Sequence, residues 1–419
     1  MTVLEVARGS NGRLRVAVET TEALVGCELC GTRAVVKDRP RVGLADLPAF
    51  GSPVTLMWHK RRWSCPERAC EKGSWTEDRP DIAPVRAAMT TRAGLWATRE
   101  VGAEIHTVAY AAGQLGVAWH TVMDAVTYWG RTLIDDPDRV GTVAALGVDE
   151  TKFLAAQRFE ATQWISSICD VARRVVIDVI EGRQRAELTK WLDTQPRWWL
   201  DAVTSTVTDL HEPFRKALAS RLPNATAVAD PFHVVGVANR VLDKTRRAVQ
   251  TNTLGHRGRS GDPLYRARKL LAMGAERIDA GGDARLAALL AEGDPDGHVY
   301  EAWITKETVR DLYTMWGHRD LAATWLDAII AGCRAGRSEH VKGLARTLTQ
   351  WRAPIIAWHT HGHSNGPVEG LNSLIKKVKR VAAGFRNFNH YRTRILLACG
   401  GCNWDLLGTH TPLKREAPP

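Results

Sequence analysis

No stretch of this 419-residue chain stays apolar for about 18 residues, so no membrane-spanning helix is expected. No basic start leads into a short apolar segment, and no secretory leader is expected. Cysteine is scarce, with eight in all, and four of them stand in metal-like pairs. That usage excludes a dense disulfide scaffold and fits a reducing cytoplasm. A glycine-rich phosphate loop is also missing. Residues 255–261 have no strand before them and no Lys-Ser/Thr pair behind them, which excludes a recognisable ATP-hydrolysing loop. No internal repeat is visible.

Acidic residues fall short of basic ones, 46 against 57, for a net charge of +11. The excess points to a polyanionic partner, above all nucleic acid. A hydrophobic content of 44% with 25% charged residues fits a globular protein, and the length exceeds one ordinary core, so two to four domains are expected.

The paired cysteines lie early. Cys27-x2-Cys30 and Cys65-x4-Cys70 can each clamp one side of an ion and together complete a tetrahedron of thiolates. A structural Zn²⁺ there supplies folding free energy that a module of about 50 residues lacks in its own core. The first 20 residues read as a strand or arm, and residues 54–58 alternate in strand fashion. They run into His59-Lys60-Arg61-Arg62-Trp63, read either as a phosphate-contacting patch or as a solvated edge. Residues 1–83 are thus expected to form a zinc-finger-like domain.

Residues 84–135 read as helices. The stretches 108–117 and 118–126, read as helix, tight turn near Gly116 and helix, follow the pattern of a helix-turn-helix. In such a unit the second helix enters the major groove and its first turn faces base edges. Trp119, His120 and Thr121 are therefore candidate DNA contacts, with a plain helical hairpin as the alternative. A polar linker follows.

From residue 143 the period shortens. Residues 143–148 form a buried strand ending on Asp149, and 164–169 and 175–180 continue as an antiparallel meander turning at Ala172-Arg173. A helix at 185–192 precedes a β-branched strand at 202–207 that runs to Asp209. Another helix at 212–222, with Pro213 in its first turn, leads to a fifth strand at 225–229 that stops at Asp230-Pro231-Phe232-His233. The order β-β-β-α-β-α-β outlines a ribonuclease-H-like mixed five-stranded sheet in a multidomain α/β chain. Strands one and four are adjacent in that outline, so Asp149 and Asp209 meet, and Glu369 on a late helix can join them. Phosphodiester cleavage by a two-metal site needs divalent ions about 4 Å apart on hard oxygen ligands. Three gathered carboxylates, in turn, repel without cations. Asp149, Asp209 and Glu369 are accordingly expected to hold Mg²⁺ (or Mn²⁺) and to be catalytic. Asp230 competes with Asp209 for the second position. It and His233 are otherwise expected near the rim, steering DNA or supporting a ligand. Glu150 is expected to be structural, and Glu212 to sit in the first turn of its helix.

Residues 234–360 read as a large helical insertion, with helices at 234–252, 264–271, 284–290, 306–313, 320–331 and 339–351. Pro354 is expected to end or kink the last of these, and Ile304 carries the one hint of a strand. The catalytic domain would comprise 143–233 and 361–405, with a flexible tail over 406–419. Beyond Glu369, Leu371, Leu374, Ile375 and Val378 keep a buried stripe while Lys376, Lys377, Lys379 and Arg380 share the exposed face. Those cations, with Arg386 and Arg392, are expected to neutralise phosphate. Asn365 and Asn372 would orient the Glu369 segment or contact the DNA strand. Cys399-x2-Cys402 has no second pair nearby and reads as core cysteines.

Together these motifs resemble the ISL3-family transposases of bacterial insertion sequences over nearly the whole length. The likeness takes in the four-cysteine finger, the helix-turn-helix, Gly147-Val148-Asp149-Glu150 and Ala229-Asp230-Pro231-Phe232-His233. Most specific is Ser364-Asn365-Gly366-Pro367-Val368-Glu369-Gly370-Leu371-Asn372, followed by Ile375, Lys376 and Gly384-Phe385-Arg386-Asn387-Phe388. The resemblance implies a DDE enzyme that recognises the terminal inverted repeats of its own element, cleaves there and joins 3′ ends to target DNA. By the same likeness Asp149, Asp209 and Glu369 match the catalytic residues. The family often has a small Ser-containing segment after the second Asp, where this chain reads Leu210-His211-Glu212-Pro213. Implied partners are double-stranded DNA and further copies of the chain in a synaptic complex, with no membrane and a place at the nucleoid through DNA. Two rivals stand beside this reading: a catalytically inactive, sequence-specific DNA-binding regulator, and a metal-dependent endonuclease that cleaves without joining.

Overall fold

The computed structural model describes residues 1–9, 12–21, 24–156 and 161–409. Of the expected tail, 410–419 lies outside the described residues. The chain divides into two compact units. One comprises Met1–Gly141, Val176–Val179 and Ser373–Pro419; the other comprises Thr142–Val175 and Ile180–Asn372.

The first unit opens with seven strands: β1 (Thr2–Arg8), β2 (Leu14–Glu19), β3 (Val35–Asp38), β4 (Arg41–Ala49), β5 (Ser52–His59), β6 (Arg62–Ser64) and β7 (Ser74–Thr76). They make a four-stranded sheet of order β1-β2-β5-β4 and a three-stranded sheet of order β3-β6-β7. Alternation along β5 buries Val54, Leu56 and Trp58, and the last two pack with Val18, Leu44, Ile82 and Ala83. The basic patch is partly structural. Arg61 is buried and donates to Thr20 Oγ1 at 2.8 Å and the Thr21 carbonyl at 3.1 Å.

Three helices follow: α1 (Thr91–Gly102), α2 (Val108–Leu115) and α3 (Trp119–Ile134). The Thr90 and Thr107 hydroxyls accept from the backbone of Ala93 and Tyr110, supplying the N-caps of α1 and α2. Gly116 turns the chain between α2 and α3 at φ 65°, a left-handed conformation that costs glycine little. Val122, Met123, Val126, Trp129 and Leu133 give α3 its buried stripe.

The second sheet has order β10-β9-β8-β11-β12, with β8 (Ala145–Leu154), β9 (Gln163–Asp170), β10 (Val175–Glu181), β11 (Ser205–Thr208) and β12 (Thr226–Ala229). β8 pairs antiparallel with β9 and parallel with β11, and β11 pairs parallel with β12. The order is consistent with a ribonuclease-H-like core. Between the strands run α4 (Arg185–Asp193), α5 (Arg197–Ala202) and α6 (Glu212–Arg221). The short α5, anchored by buried Trp199, has no counterpart in the sequence reading.

After β12 come α7 (Pro231–Leu254), α8 (Pro263–Ala272), α9 (Ala280–Gly293), α10 (His298–Leu312), α11 (Arg319–Ala335), α12 (Glu339–Gln350) and α13 (Arg352–His361). Their apolar faces share one core that includes Leu242, Leu271, Leu290, Leu312, Leu326, Leu348 and Ile355. One expectation fails here: Ile304 lies within α10 rather than in a strand. The 339–351 helix does break ahead of Pro354: α12 ends at Gln350, whose carbonyl the proline ring would meet in a continuous helix. Pro354 itself sits in the first turn of α13, where a missing N–H breaks no helical bond.

The chain closes with α14 (Gly366–Val381), α15 (Phe388–Cys399) and α16 (Leu406–Thr409). On α14, Val368, Leu371, Ile375 and Val378 are buried, but Leu374 is 40% exposed and lies off the expected stripe. It follows Leu371 by three residues and precedes Val378 by four, on the margin of an apolar arc already filled. Cys399 is buried, and the Cys402 thiol reaches the Leu396 carbonyl at 3.4 Å. No helix among the described residues is long and apolar enough to cross a membrane.

Candidate active site

Strand register gathers the acids. Thr208 pairs with Val148 across β11 and β8, and with Ala229 across β11 and β12. The residues that follow these three are Asp149, Asp209 and Asp230, so three parallel neighbours carry a carboxylate at the same level. β8 is buried from Ala145 to Val148 and becomes half-buried at Asp149, β11 is buried throughout as Ser205-Thr206-Val207-Thr208, and β12 is buried over its last two residues.

Glu369 arrives from the first turn of α14. His233, one turn into α7, links the group. Its Nε2 lies 2.9 Å from Asp209 Oδ1, 3.1 Å from Glu369 Oε1 and 3.8 Å from Asp230 Oδ2. Two asparagines fix the carboxylates: Asn365 Nδ2 donates to Asp209 Oδ1 at 2.8 Å, and Asn372 Nδ2 donates to Asp149 Oδ2 at 2.5 Å. Asn372 is held in turn by Ser167, whose hydroxyl donates to its Oδ1 at 3.0 Å. Asp149 Oδ1 accepts from the Glu150 backbone at 2.7 Å.

The electrostatics are those of a site short of positive charge. Burial, and then the neighbouring charge of Asp209, push Asp149 up to about 6. Burial also raises Glu150, whose Oε1 lies 3.7 Å from Arg183. Burial by itself would lower His233, but its bond to Asp209 and the charges of Asp209 and Asp230 outweigh that and push it up to about 9. Near neutral pH His233 is therefore a cation among acids. Asp230 is the most enclosed of the set, with a side chain 3% exposed against 23% for Asp209.

The cysteine pairs converge too. Cys27 Sγ lies 3.6 Å from Cys70 Sγ, Cys30 Sγ lies 3.5 Å from Cys65 Sγ, and all four fall within 4.8 Å of one another. A tetrahedral Zn²⁺ with Zn–S of about 2.3 Å spaces its sulfurs by about 3.8 Å, so the cluster fits a structural zinc ion. Asp230, His233 and Glu369 also present ligand atoms within 4.8 Å of one another.

Residues 146–395 match the family model of the ISL3 transposases. Residues 23–70 match that of the zinc-finger of the transposases of IS204, IS1001, IS1096 and IS1165. This chain belongs to the ISL3 family of insertion-sequence transposases. The chain is 25% identical, over 96% of its length and 92% of the relative's, to the transposase for insertion sequence element IS1557 of Mycobacterium tuberculosis. It is 23% identical, over 93% and 92%, to the transposase for insertion sequence element IS1001 of Bordetella parapertussis.

The remaining candidate residues of this ISL3-family chain fall into two groups. Trp119 (48% exposed) and His120 stand open on the first turn of α3, with Thr121 half-buried beside them, and the Trp119 ring lies 5.8 Å from that of His390. Lys376, Lys377 and Arg380 are exposed on α14 and Lys379 is half-buried, while Arg386 is exposed in the loop that follows. Arg392 is already engaged, with its Nε 2.6 Å from Asp178 Oδ1. Sequence reasoning set His233 at the rim and missed its bridge between Asp209 and Glu369. The signal was the Asp230–His233 spacing of three, which sets both residues on one side of the start of α7. The pairing of each asparagine with one aspartate was likewise invisible, because it joins residues more than 150 positions apart.

Proposed function

We propose that this transposase acts on DNA through a two-metal DDE mechanism. It would bind the terminal inverted repeats of its element, cleave there and join the freed 3′ ends to target DNA. The observation that carries this reading is the site itself: Asp149 and Asp209 follow in-register residues of adjacent strands, and Glu369 shares His233 with Asp209.

Asp149, Asp209 and Glu369 would hold Mg²⁺ or Mn²⁺. When bound, such ions lower the pKa of an attacking water or 3′-hydroxyl and stabilise the departing oxygen. Asp209 fits the second position better than Asp230, whose burial at the start of α7 leaves little access for an ion and a phosphate. Until metal and DNA arrive, the His233 imidazolium offsets the repulsion between Asp209 and Glu369. Asn365 and His233 both engage Asp209 Oδ1, while Asn372 and the Glu150 backbone hold the two oxygens of Asp149, so the carboxylates are already oriented and an ion would bind at their remaining lone pairs. Around this centre, residues 143–233 and 361–405 would form the catalytic domain, and 234–360 its helical insertion.

DNA recognition belongs, on this reading, to the zinc-finger-like domain at 1–83 and the helix-turn-helix at 84–135. Trp119, His120 and Thr121 would face base edges, and Lys376, Lys377, Lys379, Arg380 and Arg386 phosphates. Arg392 would join them only by leaving Asp178. Two element ends must be held at once, so a homo-oligomeric synaptic complex is expected.

The experiment is end joining. DNA flanking this gene, supplied with pre-cleaved 3′ ends, Mg²⁺ and a target duplex, should yield joined products. Cleavage without joining would favour an endonuclease, and binding without either would favour a regulator.

A further inference from the structure

Phe232 is a large apolar side chain left open beside this site. It stands between Asp230 and His233 at the start of α7 and is 70% exposed. The reason is helical geometry. α7 buries Val234, Ala238, Leu242 and Thr245, and Phe232 lies two residues before that stripe, about 200° around the helix axis. Pro231 fixes the backbone just before it and the body of α7 follows it, so the ring stands on a helix start rather than on a loop.

Its position relative to the carboxylates gives that exposure a use. The Phe232 ring centroid is 5.6 Å from that of His233, edge to face at 83°. His233 is itself in hydrogen-bond reach of Asp209 and Glu369. Successive bases of a duplex are spaced by about 3.4 Å, so the ring lies on the scale of a few base steps from a phosphate held at the carboxylates. A duplex keeps its bases stacked inward, and distorting it around one backbone phosphate can unstack a neighbouring base. An exposed aromatic face is the sequence-tolerant way to hold a base so displaced.

Resting on the reading of this site as a DNA-cleaving centre, we propose that Phe232 stacks on a base displaced from the duplex beside the scissile phosphate. It thereby acts as a positioning residue for cleavage. Its occupant is a nucleobase of the bound DNA, not a protein side chain or a second copy of the chain.

The test compares the full-length protein with Phe232→Ala and Phe232→Trp on duplexes spanning the junction between the element end and its flanking DNA. Each duplex is made fully paired and with a single mismatch at successive steps around the cleavage site. Phe232→Ala should keep the wild-type thermal midpoint and end-binding affinity, because the ring packs against little in the fold. It should lose about ten- to hundredfold in cleavage rate on the paired duplex, the range expected for one lost base–aromatic stack. Phe232→Trp should retain the rate. At one mismatch position the gap between wild type and Phe232→Ala should shrink to within about threefold, since the unstacking has been done in advance. An unchanged rate for Phe232→Ala would overturn the proposal. So would a loss of the same size on every mismatched duplex, or one matched by a fall in thermal midpoint. A wild-type protein that cleaves none of these duplexes would instead overturn the functional reading itself, and the stacking role with it.

Discussion

A Cβ atom added to Gly147 would lie 2.5 Å from Val368 Cγ2 and 2.8 Å from Val171 Cγ2. The glycine on β8 is thus what lets the residue before Glu369 pack down, and it stands two positions before Asp149. One close approach sets how near α14 comes to the strand that carries the first candidate ligand. Gly147→Ala should therefore displace Val368 and Glu369 together. The expected result is a loss of about 100-fold or more in Mg²⁺-dependent cleavage, the scale of a 1 Å misplacement at a reacting centre. It should be accompanied by about 1–3 kcal/mol of destabilisation from overpacking. Cleavage rates and thermal midpoints of the variant check it, and full activity would show that Val368 has room to yield.

The cysteine cluster makes a separate prediction. The protein should contain one Zn²⁺ per chain, and Cys30→Ser or a strong chelator should remove it and unfold the region around 23–70. Metal analysis together with limited proteolysis of that region is the check. Full zinc content in Cys30→Ser would rule out the four-thiolate site.

Asp46 ties a strand of the first sheet to the start of α1. It accepts from Thr90 Oγ1 and Arg92 Nε, each at 2.7 Å. Burial would raise its pKa, but the bonds from Arg92 and Thr90 more than reverse that and leave it below the ordinary value of 3.8. A carboxylate with a depressed folded pKa stabilises fully above its unfolded value and loses that stabilisation as pH falls through the folded one. The difference in thermal midpoint between wild type and Asp46→Asn should be constant from pH 8 to about pH 5. It should narrow only below about pH 4. Narrowing already between pH 7 and pH 5 would contradict the assignment.

How much of this was legible in the sequence follows from the range of the interactions. Apolar or β-branched runs leading to Asp149 and Asp209, and the turn-and-helix pattern between them, are local signals, and the five strands formed in the expected order. Their ends differ: β8 does not stop at Asp149 but runs to Leu154, because its pairing with β9 continues, and β11 begins at Ser205 because Ala202 closes α5. The cysteine pairs were equally plain, because two of the four ligands are near neighbours in each pair. What escaped was long-range. Arg61 looked like a surface cation until the fold buried it against Thr20, and His233 looked like a rim residue until α14 brought Glu369 to it. Leu374 shows the limit of counting on a helix: its spacing suits a buried stripe, but the neighbouring positions already fill the arc. Pro354 was legible as a break because its effect is local: α12 ends at Gln350, four residues before it.

Lys376 and Lys377 test the basic face of α14. Replacing both with Ala should weaken binding to element ends and to unrelated duplexes alike. The slope of log affinity against log salt should become shallower by roughly 1–2. An unchanged slope, measured by fluorescence anisotropy across a salt series, would refute their phosphate role.

The central claim is that Asp149 belongs to a metal-dependent cleavage centre, and cleavage by Asp149→Ala on the DNA flanking this gene tests it most directly. Cleavage and binding are measured side by side with Mg²⁺ present. Asp149→Ala should lose cleavage by several orders of magnitude and bind element ends within a few-fold of wild type. Cleavage retained by Asp149→Ala would contradict the account.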